Sequence, residues 1–594
     1  MDQSIYTAAT LKSANPGLWT VAQRFDSVDE MRAELARFTY QRELAASEDP
    51  ANQNASIQIQ IRDCARILRN IIKKRSDELT GFGMAQALWD LGHNIARPDL
   101  SPGFFAELTH LFLGLRGEGT RQAFNDISLP PVTGEGRAAA RDRSNQLDTL
   151  WAEIERRIDR FAFGLDDAAV ARRKKRREKI LTVLAGDEDD WQDWRWHVRH
   201  IIRDADLLAK LVYLSPEQKA AVNAAREKKL PFGITPYYLS LMDDEESDRD
   251  TAIRAQVLPP MDYVDNVCAS GDTAELDFMG EEDTSPIDLI TRRYPSICIL
   301  KPFNTCPQIC VYCQRNWEID DAMASNAFAG FKQIDAAIKW IGDHPAIREV
   351  LITGGDPLAM GDKALEEILT KVAKLPNVER IRIGTRTPVT IPMRITDKLA
   401  DLIASFRNPG KRTVALITHV QHPYEITPEM AEAVNRLRIR GIPVYNQLVY
   451  TFYCSRRFEA AALRRKLRLI GIDPYYTFNT KGKEETISYR VPIARLLQEQ
   501  QEEARLLPGL ERTDEAVFNL PRLGKNYLKS QEHRDLLAIL ADGSRVYEFF
   551  PWEKNISETT QTYLATDVPI LDYLQRLAAT GENTANYQTI WYYF

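Results

Sequence analysis

The 594-residue sequence has few of the features that mark membrane, secreted or nucleic-acid-binding proteins. It has no apolar run near the roughly 20 residues that cross a bilayer. Its start, MDQSIYTAATLKSANPG, lacks the basic residues and apolar stretch of a signal peptide. Its net charge of −7 offers no cationic excess for nucleic acid. We therefore expect a cytosolic protein with a small-molecule substrate and neither a membrane nor a nucleic-acid partner.

Cysteine is also scarce, with seven in the chain. In a reducing cytosol we do not expect these cysteines to form disulfides, so a close group of them indicates a metal site or catalysis. Three cysteines lie within the eight-residue segment CPQICVYC. The other four are most simply small residues of the core: Cys64, Cys268, Cys298 and Cys454.

Four segments can be distinguished along the chain. Residues 1–185 contain amphipathic stretches such as MRAELARFTYQRELAA and no recognisable motif, which predicts a long helical N-terminal region. Residues 186–285 also look mostly helical and lead into the core. Residues 286–485 carry six short β-branched runs, and residues 486–594 form a C-terminal region.

The six runs recur about every thirty residues, and most are followed by a helical stretch such as DKALEEILTKVAKL. This pattern is typical of βα units with parallel strands. We therefore predict the α/β class, with a partial (βα)6 barrel of the TIM type. The runs are SICILKP from Ser296, EVLITGG from Glu349, RIRIGTR from Arg380, TVALITHV from Thr413, IPVYNQLVY from Ile442 and DPYYTF from Asp473.

The unusual residues of this region follow the runs, where barrels of this type carry their catalytic groups. The cysteines follow SICILKP, while Gly354, Gly355 and Asp356 end EVLITGG. His419 and His422 follow TVALI. We expect these side chains to meet at one end of the barrel.

The cysteine segment carries Cys306, Cys310 and Cys313 at spacings of four and three. Three thiolates can bind three irons of a [4Fe-4S] cluster and leave the fourth iron open to a small molecule. The alternative is a zinc site, but structural zinc takes four ligands and no second cysteine pair follows. The spacing therefore favours a cluster with one open iron.

With Tyr312 before its last cysteine, this segment resembles the radical-SAM superfamily, which binds S-adenosylmethionine (SAM) at the open iron. The resemblance continues in LITGGDPL, one βα unit later. There Gly354 and Gly355 would let the backbone approach the methionyl part of SAM, and the carboxylate of Asp356 would meet its ammonium group.

From about Trp191 onward the sequence resembles the lysine 2,3-aminomutase family, which includes glutamate 2,3-aminomutase. The resemblance implies a radical-SAM barrel in which a 5′-deoxyadenosyl radical takes hydrogen from the substrate while the α-amino group migrates on pyridoxal 5′-phosphate (PLP). It also implies an electron donor such as flavodoxin or ferredoxin, and a homo-oligomer, for which the N-terminal helices could supply a surface. The motifs that carry it are WQDWRWHVRHIIRD, GITPYYLSLMD, RRYPSICIL, CPQICVYC, LITGGDPL, IRIGTRTPVTIPMRIT, HVQHPYEIT, PVYNQLV and DPYYTF.

Individual residues take family roles by this resemblance. Arg315 matches an arginine that grips the substrate carboxylate, a task that suits its fork geometry. Arg293 in RRYP matches a position near the PLP phosphate, and Gln447, His419 and His422 line the same site by resemblance. The alternative for each of them is a structural polar group.

The resemblance places the lysine that binds PLP in a glycine-rich GGGGK segment near the C-terminus. This chain offers NLPRLGKNYLKSQ, in which Lys525 follows one glycine. A close-approaching backbone must deliver such a lysine, which explains the glycines of the family. Lys525 is the candidate, and Lys529 is the next one.

Departures from the lysine-specific members indicate a different substrate. By resemblance, the lysine-specific members place two aspartates beside the ε-ammonium of the substrate. At the two matching positions this chain has Lys481 and Asn519. A cation and an amide cannot replace two carboxylates as partners of an ammonium, and they suit a carboxylate instead. The resemblance therefore favours an acidic amino acid, with glutamate first.

Two other functions stay open. A radical-SAM enzyme without PLP could abstract hydrogen for epimerisation, dehydrogenation or modification of another substrate. A non-catalytic electron-transfer module would use the cluster only to carry charge, but it would not need the SAM site that GGD indicates.

Overall fold

The computed structural model describes residues 3–48, 55–120, 134–270, 277–480, 484–530, 534–552 and 561–594. Within these ranges the chain is of the α/β class, as the sequence predicts, with a barrel-like sheet and many helices. The boundaries at residues 185, 285 and 485 stay predictions.

Helices dominate the part of the chain before the first strand. None of the described helices combines the length and the apolar composition that crossing a bilayer requires. These first helices are α1 (Ala8–Ala14), α2 (Pro16–Arg24), α3 (Val28–Glu48), α4 (Ala55–Ile71), α5 (Lys74–Thr80), α6 (Met84–Gly92), α7 (Pro102–Arg116), α8 (Gly136–Ile158), α9 (Asp167–Leu184), α10 (Glu188–Gln192), α11 (Trp194–Arg199), α12 (Ala205–Leu211), α13 (Pro216–Glu227), α14 (Pro236–Leu239), α15 (Thr251–Ala255) and α16 (Met261–Ser270). The later helices are α17 (Phe331–Gly342), α18 (Asp362–Ala373), α19 (Thr387–Thr390), α20 (Asp397–Ser405), α21 (Pro428–Arg438), α22 (Glu459–Leu469), α23 (Ile493–Gln498) and α24 (Ile570–Ala579).

In the described residues, nine strands form one sheet in chain order and three more form a second sheet. The first sheet contains β1 (Ile290–Tyr294), β2 (Ile297–Phe303), β3 (Glu349–Gly354), β4 (Arg380–Gly384), β5 (Thr413–Thr418), β6 (Val444–Tyr450), β7 (Ile472–Asn479), β8 (Glu515–Leu520) and β9 (Gly524–Tyr527). The second contains β10 (Arg534–Ile539), β11 (Arg545–Phe549) and β12 (Tyr563–Thr566).

The six predicted runs form β2 to β7, which pair in parallel one after another. Crossover helices return the chain between most of them. Thr396 and Thr427, for example, are the N-cap residues just before α20 and α21, and their side chains accept hydrogen bonds from backbone amides of the first turn. The sheet is longer than the prediction, because β8 adds a further parallel strand, and β1 and β9 add antiparallel strands at the two edges.

Side-chain contacts bring the two edges of the sheet together. The backbone amide of Lys525 in β9 donates to the Tyr294 hydroxyl in β1 over 3.2 Å. Gly524 has a φ of +85°, and a Cβ there would lie 3.0 Å from the same hydroxyl and 3.2 Å from Nε1 of Trp552. Only glycine fits this close approach without strain. The sheet therefore nearly closes into a barrel at the position of Lys525.

The N-terminal helices pack on the C-terminal sheet. Helix α4 contacts β10, and α7 contacts α24. Glu107 of α7 and Arg545 of β11 form a buried ion pair at 2.9 Å, and Arg75 of α5 reaches Glu548 at 2.7 Å. The first and last parts of the chain thus form one layer with a shared core.

Candidate functional site

A cavity of about 300 Å³ opens at the carboxyl ends of the parallel strands. This is where a barrel of this type carries its chemistry. Of the residues predicted for the cluster and SAM, the lining includes Cys306, Cys310, Tyr312, Cys313, Gly354, Gly355 and Asp356. Of those predicted for PLP and substrate, it includes Arg315, His419, Gln447 and Asn519.

The three thiols project from the loop that follows β2. Contacts with the segment before the barrel hold this loop, because the amides of Ile309 and Val311 donate to the carbonyls of Gly233 and Gln256 at 3.0 and 2.9 Å. Burial raises the pKa of both Cys306 and Cys310. Buried thiols of this kind keep their protons until a metal replaces them.

The donor set around the thiols suits an iron–sulfur cluster. The backbone amide of Arg315 donates to the Cys313 sulfur at 3.4 Å, and the Arg386 guanidinium donates to the Cys310 sulfur at 2.8 Å. Such hydrogen bonds stabilise cluster thiolates. In the described ranges no three His, Cys, Asp or Glu side chains are placed to hold a metal ion. This does not conflict with a cluster, because each thiolate of a cubane binds a different iron atom and the three thiolates need not converge on one ion.

The two glycines after β3 support the cysteine loop. The amides of Gly355 and Asp356 donate to the carbonyls of Phe303 and Thr305, both at 2.9 Å. A Cβ on Gly355 would lie 2.1 Å from the Thr305 oxygen, which leaves no room for any other residue. Gly354 has a φ of +113°, a conformation that side chains rarely adopt. The glycines therefore let β3 reach the backbone just before Cys306.

The carboxylate of Asp356 has a structural use in these contacts. It accepts hydrogen bonds from the hydroxyls of Thr385 and Thr387 at 2.6 and 3.1 Å. The amides of Leu358 and Arg386 add bonds of 3.1 and 2.9 Å. Four donors occupy the usual capacity of a carboxylate. Asp356 lines the cavity, and its carboxylate bonds to the turns after β3 and β4; its contact with a ligand ammonium stays a prediction.

Arg315 lies in the cavity wall and is already paired. Its Nη2 lies 2.5 Å from Oε1 of Glu281, and its Nε donates to Oε2 at 3.1 Å. The Nζ of Lys301 lies 3.3 Å from the same carboxylate. The two cations lower the pKa of Glu281 against the effect of its burial. A substrate carboxylate must therefore share Arg315 with Glu281 or displace it.

The two predicted histidines separate. His419 lines the cavity, and burial, with Arg386 as a second cause, lowers its pKa to about 4, so its imidazole is neutral at pH 7. His422 is outside the lining: its Nδ1 accepts from the Tyr424 amide at 3.1 Å, and its Nε2 lies 3.4 Å from Glu459. His422 therefore caps a turn, and only His419 of the pair faces the cavity.

Lys525 lies next to the cavity, on a strand instead of in a glycine-rich loop. It pairs with Asn519 across β8 and β9, and directly paired residues of antiparallel strands share a face of the sheet. Asn519 lines the cavity, whereas Lys525 is not itself one of the lining residues and lies beside them on the same face of the sheet. Its Nζ lies 5.0 and 5.3 Å from the ring centres of Tyr294 and Tyr476.

The charges around this amine are positive. Desolvation is the main cause that lowers the pKa of Lys525 to about 8, and the guanidiniums of Arg382 and Arg293 lower it further. Arg382 lines the cavity and pairs with Glu349 at 2.5 Å, while Arg293 donates to the Met279 carbonyl. Lys481, the other predicted pocket residue, lies outside the described residues.

Sequence reasoning missed Arg386, whose guanidinium contacts the Cys310 sulfur, the His419 carbonyl, Tyr238, Gln256 and Glu425. It follows β4 in the stretch IRIGTRTPVTIPMRIT, which contributed to the resemblance without being singled out. Its partners come from segments up to 148 residues away in the chain, so no local pattern indicates them.

The sequence is similar to those of known radical-SAM proteins. Residues 300–453 match the family model of the Radical SAM superfamily. A protein of Methanocaldococcus jannaschii, described as an uncharacterized KamA family protein, is 41% identical over an alignment of 614 positions. The alignment covers 100% of this chain and 98% of the relative. Glutamate 2,3-aminomutase of Clostridioides difficile is 35% identical over 54% of this chain and 72% of its own length. L-lysine 2,3-aminomutase of Bacillus subtilis is 33% identical over 52% of this chain and 63% of its own length.

Proposed function

Because this chain belongs to the lysine 2,3-aminomutase family of the radical-SAM superfamily and is an isomerase of that kind, we propose that it moves the α-amino group of an acidic amino acid to the β-carbon. The proposal includes a [4Fe-4S] cluster on Cys306, Cys310 and Cys313, SAM in the adjoining cavity, and PLP bound through Lys525. When bound, the cluster and SAM supply a radical that removes hydrogen, and PLP supplies the π system through which an amino group can shift.

The observation that carries the proposal is the position of Lys525. A lysine that forms a Schiff base must be partly neutral near pH 7 and must face the substrate. Two observations support Lys525 in this role: its pKa is lowered to about 8, and its strand partner Asn519 lines the cavity. The flanking guanidiniums of Arg293 and Arg382 suit the phosphate of PLP.

The same charges support an acidic substrate. Arg382, Arg293 and Lys525 bring three cationic groups to this part of the barrel; Glu349 pairs with Arg382 and offsets part of that charge, whereas the neutral Asn519 offsets none of it. A second ammonium desolvated beside them would cost several kcal/mol, whereas a carboxylate would gain a partner. Arg315 would take the α-carboxylate, with Glu281 released or shared. His419 stays neutral and contributes no opposing charge.

The test gives the reduced protein SAM, PLP and one amino acid at a time, and detects β-amino acid by mass spectrometry. We expect glutamate to exceed lysine by roughly a thousandfold, since each tenfold corresponds to about 1.4 kcal/mol. Asn519→Asp with Lys481→Asp should move preference toward lysine. Preference of the unchanged protein for lysine or arginine would contradict the assignment of these two positions.

A radical-SAM enzyme without PLP remains the second candidate, because Lys525 lies on the β8–β9 hairpin where the family resemblance leads us to expect a glycine-rich segment. Borohydride reduction of the PLP-loaded protein, followed by peptide mapping, separates the two. A pyridoxyl group on Lys525 supports the aminomutase, and its absence from every lysine supports the alternative.

Reduction of the cluster needs an external electron, for which we propose flavodoxin or ferredoxin as donor. We also propose self-association of the chain, which sedimentation velocity would measure. A sedimentation coefficient of a 67.8 kDa monomer at all concentrations would contradict it.

A further inference from the structure

A buried polar network joins the cysteine loop to the segment before the barrel, and Arg386 is its centre. The Nη1 of Arg386 donates to the Cys310 sulfur at 2.8 Å, and its Nε donates to the His419 carbonyl at 3.2 Å. Its Nη2 lies 2.7 Å from Oε1 of Glu425 and also contacts Gln256. The guanidinium is thus held on three sides, and one of them is a predicted cluster ligand.

Glu425 is the counter-charge of this guanidinium and is itself fully buried. Its Oε1 accepts hydrogen bonds from the Tyr238 hydroxyl at 2.8 Å and from Nε2 of Gln256 at 3.1 Å. Its Oε2 accepts from the backbone amide of Gln421 at 2.6 Å. Glu425 and Arg386 therefore form a fixed ion pair that ends at the Cys310 sulfur.

The network also holds the loop in place through Tyr312. The Tyr312 hydroxyl donates to Oε1 of Gln256 at 3.0 Å, and the Gln256 carbonyl accepts from the Val311 amide at 2.9 Å. Gln256 thus contacts the loop twice and Arg386 once. Buried networks with every member satisfied rigidify their surroundings. The segment before the barrel consequently helps to fix the cysteine loop in place.

A guanidinium keeps its positive charge at any working pH, and it donates hydrogen bonds in a fixed fork. Reduction adds negative charge to an iron–sulfur cluster, and both net charge and hydrogen bonds to sulfur set its reduction potential. A fixed cation that donates to a ligand sulfur stabilises the reduced form, while a fixed anion behind that cation opposes it.

We propose that Arg386 is a positioning residue for the cluster. Its guanidinium donates a hydrogen bond to the Cys310 ligand and raises the reduction potential of the cluster, and Glu425 limits that rise. This inference rests on the cluster proposed above. It assigns a role to two residues outside the predicted ligand set, and it predicts opposite effects for their neutral variants.

The experiment uses the full chain, reconstituted with iron and sulfide without SAM, and measures the midpoint potential by EPR-monitored titration. Arg386→Gln should lower the equilibrium constant for reduction by roughly tenfold or more, which is about 59 mV for one electron. Glu425→Gln should raise the potential. Arg412→Gln is the matched control. Arg412 lies just before β5, at the opposite end of the barrel, and its guanidinium donates to the carbonyls of Phe406 and Ala373.

The outcomes separate this inference from the proposed function. If the unchanged protein assembles no cluster, the proposed function fails first. If it assembles one, opposite shifts for Arg386→Gln and Glu425→Gln with none for Arg412→Gln support the inference. Equal shifts, shifts of the same sign or no shift would overturn it. If Arg386→Gln does not keep a cluster, the sign of the Glu425→Gln shift decides alone, and a lower or unchanged potential overturns the inference.

Discussion

The amine of Lys525 should capture PLP at a pH where an ordinary surface lysine does not. With its pKa lowered to about 8, about one amine in ten is neutral at pH 7, compared with roughly three in ten thousand for a lysine at 10.5. Only the neutral amine attacks an aldehyde. The capture rate should therefore rise with pH up to about 8 and level off above it.

The assay mixes the protein with PLP between pH 6 and pH 9.5, traps the product with borohydride and counts pyridoxyl groups on the mapped peptides. Lys525→Ala should lose the label. Lys529→Ala is the matched control, because Lys529 lies two residues after β9, is half exposed and lies 3.7 Å from Glu515; this variant should keep the label on Lys525.

Arg382→Gln tests the charge contribution to the lowered pKa of Lys525, which adds to the larger effect of desolvation. Because the Arg382 guanidinium lowers the pKa of Lys525, its removal should move the capture midpoint to higher pH. The comparison between two proteins cancels the titration of PLP itself. A midpoint above pH 10 in the unchanged protein, or a downward shift in the variant, would refute the reasoning.

Three further predictions concern the cluster and the fold. Cys306→Ser, and likewise Cys310→Ser or Cys313→Ser, should abolish SAM cleavage and lower bound iron, and a variant with a full cluster and normal cleavage would contradict the ligand set. Gly355→Ala should lower iron binding because its Cβ would meet the Thr305 carbonyl at 2.1 Å, whereas Gly361→Ala, with open space around it, should not. Glu107→Ala should destabilise the protein by roughly 3–5 kcal/mol in urea unfolding because it leaves Arg545 buried without its partner. Glu118→Ala, which breaks an exposed pair, should cost about 1 kcal/mol or less.

The barrel strands could be predicted from the sequence because each is a short β-branched run between turn residues. The six runs form β2 to β7 as expected. Strand β8, with the sequence EAVFNL, was not predicted. The segment between β7 and β8 contains several short helical turns and α23, and does not form the single crossover helix of a regular βα unit. The register of β8 with β9 depends on a hairpin in which Arg522 and Gly524 both adopt positive φ. Family resemblance led us to expect a glycine-rich segment around Lys525, whereas the structure places this residue on strand β9; its binding of PLP stays a prediction.

The residues of the site could be predicted in so far as they follow strand ends, which the chain order reveals. The partners of those residues could not, since they depend on contacts between distant segments. Asp356 meets Thr385, 29 residues away, and Arg315 meets Glu281, 34 residues away. The sequence pattern predicts that both charged groups bind a ligand, and the structure shows that both already have partners within the protein. A charged residue at a strand end is thus a candidate whose role depends on what already pairs with it.

The helices that precede the barrel act on the site through packing. The segment around Tyr238 and Gln256 contacts Arg386 and Tyr312, and so reaches the cysteine loop directly. The first helices act at one remove, because α4 and α7 pack on the C-terminal part that follows the Lys525 hairpin. The buried Glu107–Arg545 pair joins these layers at a point where neither charge can be solvated alone. Sequence identity with the full-length Methanocaldococcus relative spans these helices as well as the barrel. The N-terminal region therefore packs as part of the same fold as β9, the strand that carries Lys525.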